Sequence, residues 1–360
     1  MNISYLDTYN IICSSTVHII PLCYRCKVFT YTAAVILILL IPPTFFLNSI
    51  AFAVIFKTRK LHTPSNILLA STALCDCFSS TISMPLWIIT WLLGLHQKHS
   101  CTVYLLAVYT SHVFSYLSFL LVGFISFDRY LAIFKPFFYS NRISSNVYCY
   151  VRLVLVISTI VFTLNGASFL TPNKQLIEIT ILLSLPTFML HSIYVHFKIL
   201  FKVKDVRKNI EKQKTKKNSF TSLTVNCSAN SIAVICSVVY MKTNSSYESL
   251  NERKFDKMLV SRKQKQVNIS YLTCLLLLSL YFCYTPYVMV TATWRFKTST
   301  KEIPWTHVAY MFSYAITCIK SFVNPILYCY RSKEIKKQIK RQILSINFFS
   351  FNKKFENVRN

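Results

Sequence analysis

A chain of 360 residues with 53% hydrophobic content, a mean hydropathy of +0.43 and 12 acidic against 40 basic residues lacks the polar surface of a water-soluble globule. The net charge of +28 raises nucleic acid as a partner, but the basic residues cluster in alternate connections between apolar runs rather than on one soluble domain, so topology is the better explanation. No phosphate loop, metal-ligand cluster or nucleophile set stands out, and we expect neither an enzyme nor a resident cofactor or metal.

Apolar windows long enough for a helix to cross roughly 30 Å of hydrocarbon fall near 30–56, 66–93, 103–127, 147–170, 176–201, 269–293 and 305–330. They predict an all-α membrane protein, a bundle of seven transmembrane helices. Residues 1–29 then form an N-terminal tail, 30–330 the bundle, and 331–360 an amphipathic helix and tail. Lys57, Arg59, Lys60, Arg142, Arg152, the run from Lys198 to Lys265 and Arg331 to Arg341 lie on one side; fewer cations lie on the other. The positive-inside rule makes the first side cytoplasmic, with the N-terminus outside and the C-terminus inside, as in a multi-pass plasma-membrane protein. The first 20 residues contain Asp7 and no basic n-region, so the first span is expected to act as an uncleaved signal. Asn2-Ile3-Ser4 is an external glycosylation sequon. Most of the 13 cysteines lie in spans, whereas Cys13, Cys23, Cys26 and Cys101 face the oxidising side, which permits two disulfides of unfixed pairing.

Along the chain, the first span carries Asn48, followed 18 residues later by Asn66 and another 10 later by Asp76 in the second. A mid-span carboxylate costs at least a few kcal/mol unless it is neutralised. The third span ends in Asp128-Arg129-Tyr130, a carboxylate and a guanidinium at a membrane edge. Such a pair is costly unless it faces protein, although a static interfacial ion pair is the bland alternative. The fifth window holds Glu178, Pro186 and, eight residues on, Tyr194; the sixth holds Cys283-Tyr284-Thr285-Pro286; the seventh holds Lys320, Ser321 and Asn324-Pro325-Ile326-Leu327-Tyr328. Each proline removes a helical hydrogen bond and marks a kink that can serve as a hinge. The connection over 202–266 is rich in Lys, Ser and Asn and is read as disordered; its apolar run Ile232 to Met241 is too short to span and has no assigned role. Ile335, Ile339 and Ile343 recur every four residues among lysines, the pattern of a basic eighth helix on anionic lipid.

Taken together, these motifs resemble the rhodopsin-like, class A G-protein-coupled receptors over about residues 30–343, most of the long loop excepted. The resemblance implies that Arg129, held by Asp128, is released to reach Tyr194, Tyr328 or a partner's carbonyls, opening the cytoplasmic face to a heterotrimeric G protein. Arrestin and receptor kinases are further partners it implies. Pro186, Pro286 and Pro325 become hinges. It also locates the pocket for an extracellular ligand among Ser111, His112, Ser115, Tyr116, Glu178, Tyr284, Tyr287, Thr291, Tyr310, Tyr314 and Cys318. His112 is read mainly as a packed, hydrogen-bonded core residue, and Glu178 equally as a rim carboxylate or the partner of a cationic ligand.

Several positions depart from the family pattern. Where its members bind sodium beside the second-helix aspartate, Lys320 stands four residues before Asn324; we expect an Asp76–Lys320 ion pair within a network of Asn48, Asp76, Lys320 and Ser321, against a snorkelling or deprotonated lysine. Lys320 also raises an opsin, in which a seventh-helix lysine holds retinal. The register disfavours it, because the opsin lysine position corresponds to Cys318. A channel or transporter predicts inverted repeats and broken helices, and neither is visible. Gln266 replaces an acidic partner of the third-helix arginine, which predicts elevated basal signalling. Ser111 replaces the aspartate that amine receptors use, and Tyr284 replaces a tryptophan. Cys101 lies three residues early and finds no cysteine in the loop over 171–175, which leaves Cys13, Cys23 or Cys26 as its partner, or no bridge at all. The short loop and missing cysteine hint at melanocortin- and cannabinoid-like receptors.

Overall fold

The computed structural model describes residues 24–98, 100–143, 146–170, 273–293, 303–331 and 335–341, with helical residues 190, 193–195, 197–202, 204–205 and 208. Helix α1 spans Tyr24–Lys57 and a 3-10 turn, Arg59–Leu61, leads into α2, Pro64–Leu95. Helix α3 is Cys101–Phe134, α4 Val147–Leu170, α6 Thr273–Thr293 and α7 Ile303–Arg331; the helical residues 193–195 and 197–202 belong to α5, and 335–341 form α8. No strand occurs among the described residues.

Five helices are long and apolar enough to cross a membrane among the described residues: Cys26–Lys57, Pro64–Leu95, Cys101–Phe134, Val147–Ala167 and Thr273–Thr293. The fifth window, 176–201, lies mostly outside the described residues. The seventh is helical but falls short of that apolar set, since α7 carries His307, Lys320 and Asn324. Helix α1 begins at Tyr24, six residues before the apolar window that starts near residue 30. Arg25 and Lys27 end the hydropathy signal there, but a helix is held by backbone hydrogen bonds and extends past its apolar stretch.

Prolines shape two helices locally. In α2 the residues Ser79–Ser83 form a wide π turn just before Pro85. Proline lacks an N–H and its ring crowds the carbonyl four residues back, and widening that turn relieves the clash. Ser80 and Thr81 hydroxyls donate to the Cys77 carbonyl, at 2.8 and 3.0 Å, and stabilise the altered turn. In α7, Pro325 frees the carbonyl of Ser321, and Asn48 Nδ2 of α1 donates to it at 2.9 Å.

Two apolar clusters stack along the bundle axis. One, near Arg129, joins Val54 and Ile55 of α1, Leu68 and Leu69 of α2, Leu121 and Ile125 of α3 and Tyr328 of α7. Ile335 of α8 is fully buried in it, which docks α8 on the bundle. The other joins Leu37 of α1, Trp87 and Trp91 of α2, Ala107 of α3 and Met311 and Tyr314 of α7.

Candidate functional site

Midway between the clusters, Asp76 of α2 is buried at 2% exposure and its two oxygens are fully engaged. Oδ1 accepts from Ser321 Oγ at 2.8 Å and lies 3.3 Å from Lys320 Nζ; Oδ2 accepts from Asn324 Nδ2 at 2.8 Å. Lys320, also 2% exposed, donates to Ser118 Oγ of α3 at 2.6 Å, and its Nζ sits 5.8 Å from the Tyr284 ring of α6. One ammonium thereby bridges α2, α3 and α7 beneath α6. Asn48 adds α1 through its bond to Ser321. A cavity of about 10 Å³, room for roughly one water, is lined by Asp76, Ser79, Ser115, Tyr284, Thr317 and Lys320 among others. Ser118 was not singled out from sequence, although it lies 11 residues before Arg129, three helical turns away on the same helix.

At the end of α3, Asp128 and Arg129 are both buried and bonded to each other through Arg129 Nε, at 3.0 Å, and Nη2. Asp128 Oδ2 also accepts from Ser65 Oγ of α2 at 2.6 Å. Its Oδ1 accepts from Tyr150 of α4 at 2.8 Å and from Tyr139 at 3.0 Å. Tyr139, on the turn Tyr139–Ile143 that follows α3, in turn accepts from Arg129 Nη2 at 3.0 Å. Burial is the main cause that pushes the Tyr139 phenol up to about 12, so it acts as a neutral donor here. Tyr130 stacks on Phe134 at 4.5 Å, turned toward Ile199 of α5. Tyr194 is not brought to Arg129: it is 56% exposed, with Lys198 Nζ 4.6 Å above its ring. Tyr328 is buried in the apolar cluster. Ser65, Tyr139 and Tyr150 were all missed, because the cage exists only once α2, α4 and the turn meet α3.

At the opposite end, several expected pocket residues converge. Tyr287 OH lies 3.4 Å from both His112 Nε2 and Tyr310 OH, and His112 packs edge-on against Tyr116. Tyr284 donates to the Ser115 carbonyl at 3.3 Å. Cys318 and Tyr314 are buried beside them. Ser111 and Thr291 instead turn back to their own helices, onto the carbonyls of Val108 and Tyr287. Trp87, Trp91 and Tyr104, which the sequence reading passed over, pack with Tyr310 and Tyr314 as one aromatic group. The four-residue spacing of the two tryptophans was the available signal.

Cys26 and Cys101 are disulfide-bonded. Asn2, Cys13, Cys23, Glu178, Pro186, Gln266 and the run 232–241 lie outside the described residues. Pro286 and Pro325 sit inside helices that continue through them.

A family model for the 7 transmembrane receptor (rhodopsin family) matches residues 47–328. The chain is 35% identical over 101 residues to olfactory receptor 4B13 of Mus musculus, covering 28% of this chain and 32% of that receptor. It is 34% identical over 114 residues to the 5-hydroxytryptamine receptor 1B of Vulpes vulpes, 30% of this chain and 28% of the relative. Over 142 residues it is 32% identical to trace amine-associated receptor 5 of Homo sapiens, 38% of each. The chain thus spans about a third of the length of the curated relatives it matches.

Proposed function

Because the chain belongs to the rhodopsin family of seven-transmembrane receptors, we propose that it is a G-protein-coupled receptor that converts the binding of an extracellular ligand into nucleotide exchange on a heterotrimeric G protein. The observation that carries this is Arg129: a charged group 5% exposed at a helix end, held by Asp128 and by a tyrosine from a neighbouring turn. A permanent cation with a planar fork of donors is suited to exchanging a carboxylate for a partner's carbonyls when the neighbouring helices tilt. The cage is the resting latch, and its opening exposes the guanidinium.

The chain is a multi-pass membrane protein. In the plasma membrane its N-terminus is outside and its C-terminus inside, with arrestin and receptor kinases as further cytoplasmic partners; the distribution of lysine and arginine supports this orientation. Residues 1–29 make the external tail, 30–330 the bundle and 331–360 the basic helix and cytoplasmic tail. The ligand enters at the end that carries His112, Tyr287 and Tyr310. Ser111, bonded to its own helix, offers no anion to an ammonium, so the amines named in some relatives are not expected in a pose that needs one there. Lys320 serves as an internal cation for Asp76 and is committed to Asp76 and Ser118, which argues against retinal attached to it.

Co-expression of the full chain with a panel of G-protein subtypes, with basal nucleotide exchange as the readout, tests the reading without a ligand. At least one subtype is expected to show exchange above background, lost in Arg129→Ala at equal surface expression. Exchange that survives Arg129→Ala unchanged overturns it.

A further inference from the structure

Helix α1 carries two consecutive prolines, Pro42 and Pro43, near its middle. The carbonyl of Leu39 would accept from the N–H four residues on, or three residues on where a helical turn tightens. Those two residues are Pro43 and Pro42, and neither has an N–H. The helix also passes this point without a π turn, which would offer it the N–H of Thr44. Among the described residues no side chain is bonded to Leu39 either. The prolines of two other helices are treated differently: Pro85 follows a π turn, and the carbonyl freed by Pro325 is taken by Asn48.

The face on which this carbonyl lies decides what can reach it. Val35, Ile38, Leu39 and Phe46 are 50% to 68% exposed and Pro42 is exposed with them, a single stripe at helical spacing. The opposite stripe, Ala34, Leu37, Thr44, Asn48 and Ala51, is buried in the bundle. Leu39 therefore looks into the bilayer, about 20 Å along the helix from Cys26 and about 27 Å from Lys57. Headgroups and water do not reach that depth, acyl chains hold no donor, and a backbone carbonyl without a donor is costly in hydrocarbon. A side chain on another membrane helix is the donor that can come there.

The type of side chain follows from this molecule's own helices. The lipid-facing hydroxyls of Thr81, Thr159 and Thr163 each spend their one hydrogen on a carbonyl of their own helix. A hydroxyl on a partner would do the same, and a second copy of this chain brings none of these three to Leu39 unspent. A carboxamide has two N–H groups. Asn48 shows the consequence: its Nδ2 donates to Thr44 of its own helix and to Ser321 of α7, both at 2.9 Å.

We propose that the Val35–Leu39–Pro42–Phe46 face of α1 is a docking surface for a different membrane protein, through a spanning helix that is apolar around one mid-bilayer Asn or Gln, whose carboxamide donates to the Leu39 carbonyl. The inference concerns association within the bilayer, and its readout is independent of G-protein coupling.

The test uses the labelled full chain in phosphatidylcholine vesicles and leucine-rich probe helices of about 20 residues, read by energy transfer at probe densities below their own self-association. One probe has Asn at its centre, one has Asn two turns nearer its end, and one is all leucine. The central-Asn helix is expected to bind roughly threefold to tenfold more tightly than the other two. Pro42→Ala/Pro43→Ala, which returns both N–H groups to the helix, is expected to abolish that advantage. The proposal is overturned if the all-leucine or displaced-Asn helix binds as tightly, or if the advantage survives in the alanine variant. Energy transfer between two copies of the chain that the same variant abolishes also overturns it, since the face is then a self-contact. Should the variant not fold, the comparison of central with displaced Asn on the wild type decides alone.

Discussion

Asp128 shares its negative charge among Ser65, Arg129, Tyr139 and Tyr150, and Asp76 shares its own among Lys320, Ser321 and Asn324. The two sites differ in what the bonds restrain. Around Asp128 the phenols restrain the residue proposed to move, so Tyr150→Phe, which deletes a 2.8 Å bond to a carboxylate, should loosen the proposed latch. Hydrogen bonds to charged groups contribute about 1.5–3 kcal/mol, and basal nucleotide exchange is expected to rise severalfold at unchanged surface expression. Around Asp76 the bonds hold charges that cannot leave. Asp76→Asn strands the Lys320 ammonium and should cost about 3–5 kcal/mol, seen as a large fall in melting temperature. The double variant Asp76→Asn/Lys320→Met removes both charges and should recover most of that loss. Since Lys320 already supplies the cation, exchanging sodium for potassium in the buffer should leave melting temperature and ligand affinity unaltered; a clear sodium dependence of the wild type refutes the internal-cation assignment.

Among the elements, α2 and α7 owe their working geometry to prolines. The π turn before Pro85 inserts one residue into the helical repeat and so sets the direction in which Trp87 and Trp91 point. Pro85→Ala permits a regular α-helix there and turns both indoles by roughly 100°. Their emission should shift to the red and their quenching by acrylamide should increase; unchanged spectra would mean that the turn is held by tertiary contacts rather than by the proline. In α7 the carbonyl freed by Pro325 is taken by Asn48, which ties α1 to the element that carries Tyr328. The periodicity of Ile335 and Ile339 made α8 visible in the sequence, yet its orientation was not: Ile335 faces the bundle core rather than lipid.

For the molecule as a whole, the unequal distribution of 40 basic residues predicts that tags on the two chain ends label opposite sides of intact cells, the N-terminal one accessible and the C-terminal one only after permeabilisation. Both tags on one side would overturn the orientation and with it the assignment of Arg129 to the G-protein face.

Hydropathy and motif spacing by themselves determined a helical membrane bundle, because lipid admits few spanning structures and a run of apolar residues reports its own length. They also brought out Asp76, Arg129 and Lys320, since charges inside apolar runs need a partner and stand out for that reason. The partners themselves were decided only in three dimensions. Ser118, Tyr139 and Tyr150 are ordinary polar residues in the chain, and what makes them ligands of a buried charge is the approach of other helices. The paired prolines of α1 follow the same rule: they are plain in the sequence, and only packing reveals that the carbonyl they free faces lipid.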